Sequence, residues 1–314
     1  MSYPILGLHH VTATVDDAQA DLDFAASALG LRLVKKTVNF DNHSVYHFYY
    51  GDEGGTPGTI WTTFPYKGQG VPVGVHGAGQ VTTTSFSIPS DTLEFWTARL
   101  VKRGHKVRGA SYFGENTILF ADPSGVGINL VGSKADRRAP WIAADSGIDK
   151  SRAIRGLHSV TMTVRKAAPS IAFMKELLGY SVVDQEESRT RVAVNGGGPG
   201  RIIDLVESND APAARNGLGT VHHVAMAIEN PDEQMRLRSE LTGRGIEVTP
   251  VMDRQYFQSI YFREPGGILY EVATMKPGFT VDETLSDLGR SVKLPPQAEI
   301  RRSEIEAHLP AIQY

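Results

Sequence analysis

Apolar and polar positions alternate over Gly7-Leu8-His9-His10-Val11-Thr12-Ala13-Thr14-Val15, the pattern of a half-buried β-strand. The same pattern returns as GLHSVTMTV from Gly156, as TVHHVAMAI from Thr220 and, more weakly, as GQVTTTSFSI from Gly79. Each copy runs into a stretch with apolar residues at helical spacing. The first opens on Asp16-Asp17 and closes at Gly30, a C-cap glycine. The others cover Asp91 to Arg103 before Gly104, Pro169 up to Gly179, and Pro231 to Arg244 before Gly245. Short β-prone runs follow, such as Tyr46-His47-Phe48-Tyr49-Tyr50 and Ser259-Ile260-Tyr261-Phe262, then a turn and a last strand. The turns of copies two and four match, Ala121-Asp122-Pro123-Ser124-Gly125 against Arg263-Glu264-Pro265-Gly266-Gly267, with Pro setting φ and Gly permitting φ > 0.

The repeat predicts an α+β chain of four βαβββ modules, at 5–66, 78–133, 154–208 and 219–275. Residues 1–135 form an N-terminal domain of two modules and 152–275 a C-terminal domain of two more. Ser133 to Ser151 links them, and 276–314 is a helical tail. The tail predicts helices over Asp282–Leu288 and Ser303–Leu309, separated by Pro295-Pro296, with a capping box at Ser303-Glu304-Ile305-Glu306. Its expected role is packing or a dimer contact; the alternative is a cover over the cup that such modules form on the face their helices leave free.

Laid over one another, the modules place His10, Thr82, Ser159 and His223 in one first-strand slot. Thr62, Asn129, Asp204 and Glu271 fall in one last-strand slot. Such modules pair to close a cup. Pairing one with two and three with four puts Asp204, His223 and Glu271 in one cup. Pairing one with four and two with three gathers His10, His223 and Glu271 instead, a two-histidine, one-carboxylate set with open positions for a non-haem metal. Chemistry favours the second scheme: two cupped mixed sheets with helices outside. Asp204 is then a relic of the ligand slot. Alternation puts His9 and His10 on opposite faces unless a bulge intervenes, so one binds metal and the other stands behind it. His158, in the His9 slot of a copy without metal ligands, argues for a structural part there. His43, His47, His76 and His105 have no evident partner and are taken as structural.

Composition narrows the chemistry. The 314 residues include no cysteine, so thiolate ligands, cysteine nucleophiles and disulfides are excluded. A net charge of −3 gives no basic surface for nucleic acid. No apolar run approaches the roughly 18 residues of a membrane span, and no leader is evident. The expectation is a soluble cytoplasmic protein without membrane or nucleic-acid partners, a homo-oligomer being open.

Four βαβββ modules with strand-borne His, His and Glu resemble the vicinal oxygen chelate superfamily, which includes glyoxalase I and extradiol dioxygenases. Within it, LHHVT, VHHVA, Asp253-Arg254-Gln255-Tyr256-Phe257-Gln258-Ser259-Ile260-Tyr261-Phe262 and LYEVAT are similar to ring-cleaving dioxygenases of the hydroquinone-dioxygenase type. The resemblance implies that His10, His223 and Glu271 bind Fe(II), with Mn(II) equally suited to the ligand set. It also implies outer-shell or substrate roles for His9, Thr12, His222, Arg254 and Tyr261. The implied reaction opens a hydroquinone or catechol ring with O₂. His222 serves as base, Tyr261 or a histidine as acid, and Arg254 neutralises developing anion. The alternatives are a glyoxalase-like isomerase or thiol transferase on another metal, and a non-catalytic aromatic-binding protein. The first of these usually keeps a fourth protein ligand, where this chain has Thr62.

Overall fold

The computed structural model describes residues 5–144 and 146–314. Module one comprises β1 (Ile5–Val15), α1 (Ala18–Leu22), β2 (Arg32–Asn39), β3 (Asn42–Gly51) and β4 (Ile60–Pro65). Module two has β5 (Gln80–Pro89), α2 (Leu93–Lys102), β6 (Arg108–Tyr112), β7 (Glu115–Ala121) and β8 (Gly127–Ser133). Module three has β9 (Gly156–Val164), α3 (Ala167–Leu177), β10 (Ser181–Glu186), β11 (Arg189–Ala193) and β12 (Ile202–Glu207). Module four has β13 (Thr220–Ile228), α4 (Pro231–Gly243), β14 (Met252–Asp253), β15 (Phe257–Arg263) and β16 (Leu269–Pro277). The Asp17 carboxylate caps α1 by accepting from the Ala20 amide, but the helix widens into a π-helical turn over Asp23–Ala28.

Two mixed eight-stranded sheets result, in the orders β14-β15-β16-β13-β1-β4-β3-β2 and β10-β11-β12-β9-β5-β8-β7-β6. Module one thus pairs with module four, and two with three. Each seam is antiparallel, β1 on β13 and β5 on β9, while each first strand runs parallel to the last strand of its own module. Parallel pairing of strands close in sequence needs a crossover, and the module helix supplies it.

Strand alternation divides the first sheet into a core face and a cup face. Val11, Ala13 and Val15 of β1, Val224, Met226 and Ile228 of β13, and Tyr270 and Val272 of β16 join the main apolar core. Ala225, Ala273, Ile60 and Tyr49 point the other way and form a second, smaller cluster with Phe257 and Phe279. The Tyr270 hydroxyl crosses the main core to Met162 Sδ of module three at 3.3 Å. The segment between the halves is stapled at its start: Arg138 donates to the carbonyls of Gly58 at 2.8 Å and Leu157 at 2.7 Å.

The tail departs from its predicted form. Asp282–Leu288 is not a helix but an irregular stretch with one 3₁₀ turn at Leu285–Asp287. The last helix spans Arg302–His308 with Arg301 at its N-cap and no capping side chain, so Ser303 lies inside it and the capping box does not form. Polar anchoring wins over helix formation here. Buried Lys35 of β2 reaches Asp282 and Glu283, each at 2.5 Å. Asp282 also accepts from Gln255 Nε2 at 2.8 Å and Tyr256 Oη at 3.0 Å. Lys35→Met should therefore release the first turn of the tail. A loss of about 2 kcal/mol is expected from leaving buried Glu283 without its cation, with only Gly289 and Ser291 donating to it, read as a lower urea midpoint together with faster proteolysis between Gly278 and Leu294.

Candidate metal centre

Three donor atoms converge in the first cup. His223 Nε2 lies 2.8 Å from Glu271 Oε2. His10 Nε2 lies 3.3 Å from the same oxygen and 3.4 Å from His223 Nε2. His10, His223 and Glu271 are all buried, at 2%, 6% and 1% exposure, so no bulk water solvates this carboxylate. Burial alone drives the Glu271 carboxyl upward, but His10 and His223 outweigh it and hold it well below the usual carboxylate range. The Ser259 hydroxyl donates to its second oxygen, Oε1. Among the described residues these three form the one group of His, Asp and Glu donors close enough together to share a cation, within 4.8 Å of one another.

His9 and His10 do not point to opposite faces. Leu8 and Val11 both belong to the main core although they stand three residues apart, an odd separation that regular alternation forbids. A bulge resolves it: Leu8 pairs with Met226 and His10 with Ala225, leaving His9 as the extra residue. β13 repeats the device. Thr12 pairs with His223 and Ala13 with Val221, so His222 is extra, and Val221 and Val224 share the core. Both histidines of each pair therefore enter the cup. Within each pair the Nδ1 atoms meet, at 2.9 Å for His9 and His10 and 2.7 Å for His222 and His223. Burial, with a neighbouring imidazole second, pushes His9 and His222 down to about 3, so both are neutral acceptors. In the tautomer that frees Nε2 of His10 and His223 for a cation, each Nδ1–H donates to its neighbour's Nδ1. This is the outer-shell support that orients imidazole ligands.

The bulge also corrects the slot in module two. Val81 pairs with Met162 and Thr83 with Thr161, making Thr82 the extra residue; Thr83, not Thr82, is the counterpart of His10. The last-strand slots align as expected. Thr62 stands opposite Thr12, Asn129 opposite Ser85, Asp204 opposite Thr161 and Glu271 opposite Ala225. Asp204 is no idle relic, however. Arg191 Nε and Nη2 grip both its oxygens at 2.8 and 3.0 Å, and Arg191 Nη1 reaches Glu115 at 2.6 Å. A guanidinium thus neutralises the second cup.

Next to the three donors opens a cavity of about 170 Å³. Thr12, His222, Arg254 and Tyr261 line it, and His9 does not; it packs behind, 4.9 Å from the Phe257 ring. Arg254 Nε donates to Tyr261 Oη at 3.0 Å with its guanidinium over the tyrosine ring. Burial raises the Tyr261 phenol, so it stays protonated. No tail residue lines the cavity; the tail supports it from behind through Phe279, which packs 5.0 Å from Tyr49 and 4.9 Å from Tyr256. Reading His47 as structural misses its place: it lines the cavity between Tyr49 and Phe64, at 4.0 and 4.3 Å. Its position two residues before Tyr49, which pairs with Thr62 as Tyr261 pairs with Glu271, is the signal that could have found it.

The chain matches the glyoxalase/bleomycin resistance protein/dioxygenase superfamily over residues 7–130 and 156–272. It is 40% identical over 306 residues to a protein of Bacillus subtilis (strain 168) provisionally named ring-cleaving dioxygenase MhqE, covering 98% of this chain and 99% of that one. It is 37% identical over 309 residues to the chlorohydroquinone/hydroquinone 1,2-dioxygenase of Sphingobium indicum, covering 95% and 94% of the two chains. The crystal structure of a provisionally named dioxygenase from Bacillus subtilis superposes with a TM-score of 0.94 at 37% identity, over 99% of both chains. Glyoxalase I from Zea mays shares the fold, with a TM-score of 0.60 at 14% identity over 85% of this chain and 92% of that one.

Proposed function

This chain belongs to the glyoxalase/bleomycin resistance protein/dioxygenase superfamily, and from that membership we propose that it is a metal-dependent dioxygenase opening a hydroquinone-type ring with O₂. One observation carries the reading: two imidazoles and a carboxylate, buried and convergent, face a small cavity with aromatic walls. The relatives named ring-cleaving and hydroquinone dioxygenase support the substrate class. A buried carboxylate between two imidazoles is a poor resting arrangement and a good cation site, because a divalent ion supplies the charge that burial withholds. His10, His223 and Glu271 would hold Fe(II) or Mn(II) and leave positions open for small ligands. Bound there, the metal supplies a route for electrons between an electron-rich ring and O₂.

The remaining tasks fall to the chain. Thr12 and His222 border the end of the cavity nearest the donors, where the reacting hydroxyl must sit. Arg254 offers a fixed positive charge against the phenolate and the carboxylate that ring opening creates. Tyr261, kept protonated by burial and oriented by Arg254, is the proton donor to an oxygen that becomes anionic. His9 works through His10. Phe64, Phe257 and Tyr49 present apolar walls for a ring and exclude water. A cavity of about 170 Å³, below the ~300–1,000 Å³ of drug-sized pockets, suits one ring. The isomerase alternative loses its usual fourth ligand, because the Thr62 hydroxyl is engaged by Thr12 at 2.8 Å and His47 at 3.0 Å.

The test is oxygen uptake by protein loaded anaerobically with Fe(II) or Mn(II), given hydroquinone, chlorohydroquinone, methylhydroquinone and catechol in turn. The expected result is equal consumption of O₂ and ring, with both oxygen atoms in the opened product. No uptake with any of the four would overturn the proposal.

A further inference from the structure

The strand position that mirrors Glu271 holds no second carboxylate. The seam between modules one and four makes Thr62 the counterpart of Glu271, and Thr62 is tied into a chain of three side chains. Thr12 Oγ1 and Thr62 Oγ1 are 2.8 Å apart. Thr62 Oγ1 and His47 Nε2 are 3.0 Å apart. The far nitrogen, His47 Nδ1, makes no hydrogen bond to the described residues and is not among the buried unpartnered atoms. Thr12 and Thr62 are both 0% exposed, whereas His47 is partly exposed. The chain therefore runs from a buried hydroxyl on the cavity wall, two residues along the strand from His10, to a partly exposed imidazole on the same wall.

A hydroxyl carries one proton and accepts others, so such a chain can point only one way at a time. Either Thr12 donates to Thr62 and Thr62 to His47 Nε2, or His47 Nε2–H donates to Thr62 and Thr62 to Thr12. In the first state Thr12 faces the cavity as an acceptor, ready for a neutral phenol. In the second it faces the cavity as a donor, ready for a phenolate. We propose that Thr12, Thr62 and His47 form a proton exit relay that turns the one state into the other as the aromatic hydroxyl ionises. The substrate proton passes to Thr12 Oγ1, the Thr12 proton to Thr62 Oγ1 and the Thr62 proton to His47 Nε2. The Nδ1 proton then leaves to water at the mouth. Each hydroxyl ends with one proton, His47 ends neutral with its proton on Nε2, and the substrate is left as the anion. His47 acts through Thr62 as a positioning residue. The inference rests on the ring-cleaving reading, since it needs a phenol in the cavity.

The test uses metal-loaded protein under nitrogen and nitrohydroquinone, whose absorbance reports ionisation on binding. In wild type the phenolate band should appear with binding. In Thr62→Val, which cuts the chain while leaving His47 in place, the Kd should stay within about 2-fold, and His47→Gln, at a cavity-lining position, is compared at saturating ligand. The band should form about 10²-fold more slowly, the scale of one lost proton-transfer group. The double variant should be no slower than either single one, and Thr62→Ser, which restores the hydroxyl, should behave as wild type. Wild-type rates in Thr62→Val, or effects that multiply in the double variant, overturn the relay while leaving ring cleavage standing. A wild-type protein that binds no nitrohydroquinone and takes up no O₂ overturns the ring-cleaving reading, and the relay with it.

Discussion

Glu271→Gln should leave a folded protein that retains no Fe(II) or Mn(II) after desalting and consumes no O₂ with hydroquinones. The amide occupies the same volume and still reaches the Ser259 hydroxyl and His223, so the cup keeps its shape. What is lost is the one negative charge among the three donors, in a place where only 1% of the residue meets solvent. Losing about 4 kcal/mol of cation binding is a factor of about 10³ in Kd, and activity at micromolar metal should fall at least as far. The measurement pairs metal content with a thermal melt. Unchanged melting of the metal-free protein with absent metal is expected; full metal content in the variant would mean that the ion sits elsewhere. His9→Phe supplies the contrast. Removing an outer-shell partner typically costs 10- to 100-fold in affinity, so excess metal should restore its activity but not that of Glu271→Gln.

The second cup should answer to stability and not to metal. Arg191→Met leaves Asp204, 4% exposed, without its bidentate partner and Glu115 with His158 as its one remaining partner. Breaking a buried ion pair from one side costs about 3–5 kcal/mol, read as a lower urea midpoint with the metal content of the first cup unchanged. Arg191→Met combined with Asp204→Leu and Glu115→Gln should recover most of the loss, because it is the orphaned carboxylates and not the missing contacts that destabilise. A loss under 1 kcal/mol for the single variant would mean that water already solvates the network. The pH dependence follows. Burial works against the Glu115 carboxylate, yet His158 and Arg191 hold it at about 2 against an ordinary 4.5. Its contribution is full above pH 4.5, is lost as pH falls towards 2, and should be smaller in the acid limb of Arg191→Met, where His158 alone remains beside it.

Much of this is legible in the chain itself, because the module repeats. Alternation marks the four first strands, the matched Asp-Pro and Glu-Pro turns set the last strands of modules two and four, and the last-strand slots hold to the residue in all four. The seam between modules one and four is not visible in any local pattern; it follows only from asking where His10, His223 and Glu271 do chemistry together. The bulges are hidden because strict alternation reads GLHHV as in-out-in-out. The pair Leu8 and Val11, like Val221 and Val224, breaks that parity, and apolar residues three apart around a polar doublet were the available signal. Arg191 and His47 escape for a different reason. Asp204 for one and Thr62 for the other sit on neighbouring strands whose register no sequence spacing supplies, and Glu115 reaches Arg191 from β7, with four strands between them in the sheet order. The first tail segment has helical spacing but gives up its helix to the anchors on Lys35, Gln255 and Tyr256.

The β1–β13 seam joins His10 to His223 across 213 positions, and this sets the order of events on the ribosome. At ~5–20 residues per second, β1 waits on the order of ten to forty seconds for its antiparallel neighbour. During that wait modules two and three, complete by Glu207, can close their own sheet, while β1 has β4 on one side and a bare edge on the other. An open edge with Val11, Ala13 and Val15 behind it invites foreign strands, so β1 stays exposed to mispairing until β13 has been made. A cation at the proposed site would arrive last: the three donors come together only when Glu271 has emerged and folded back on β1, so metal binding would be an act of the assembled first cup.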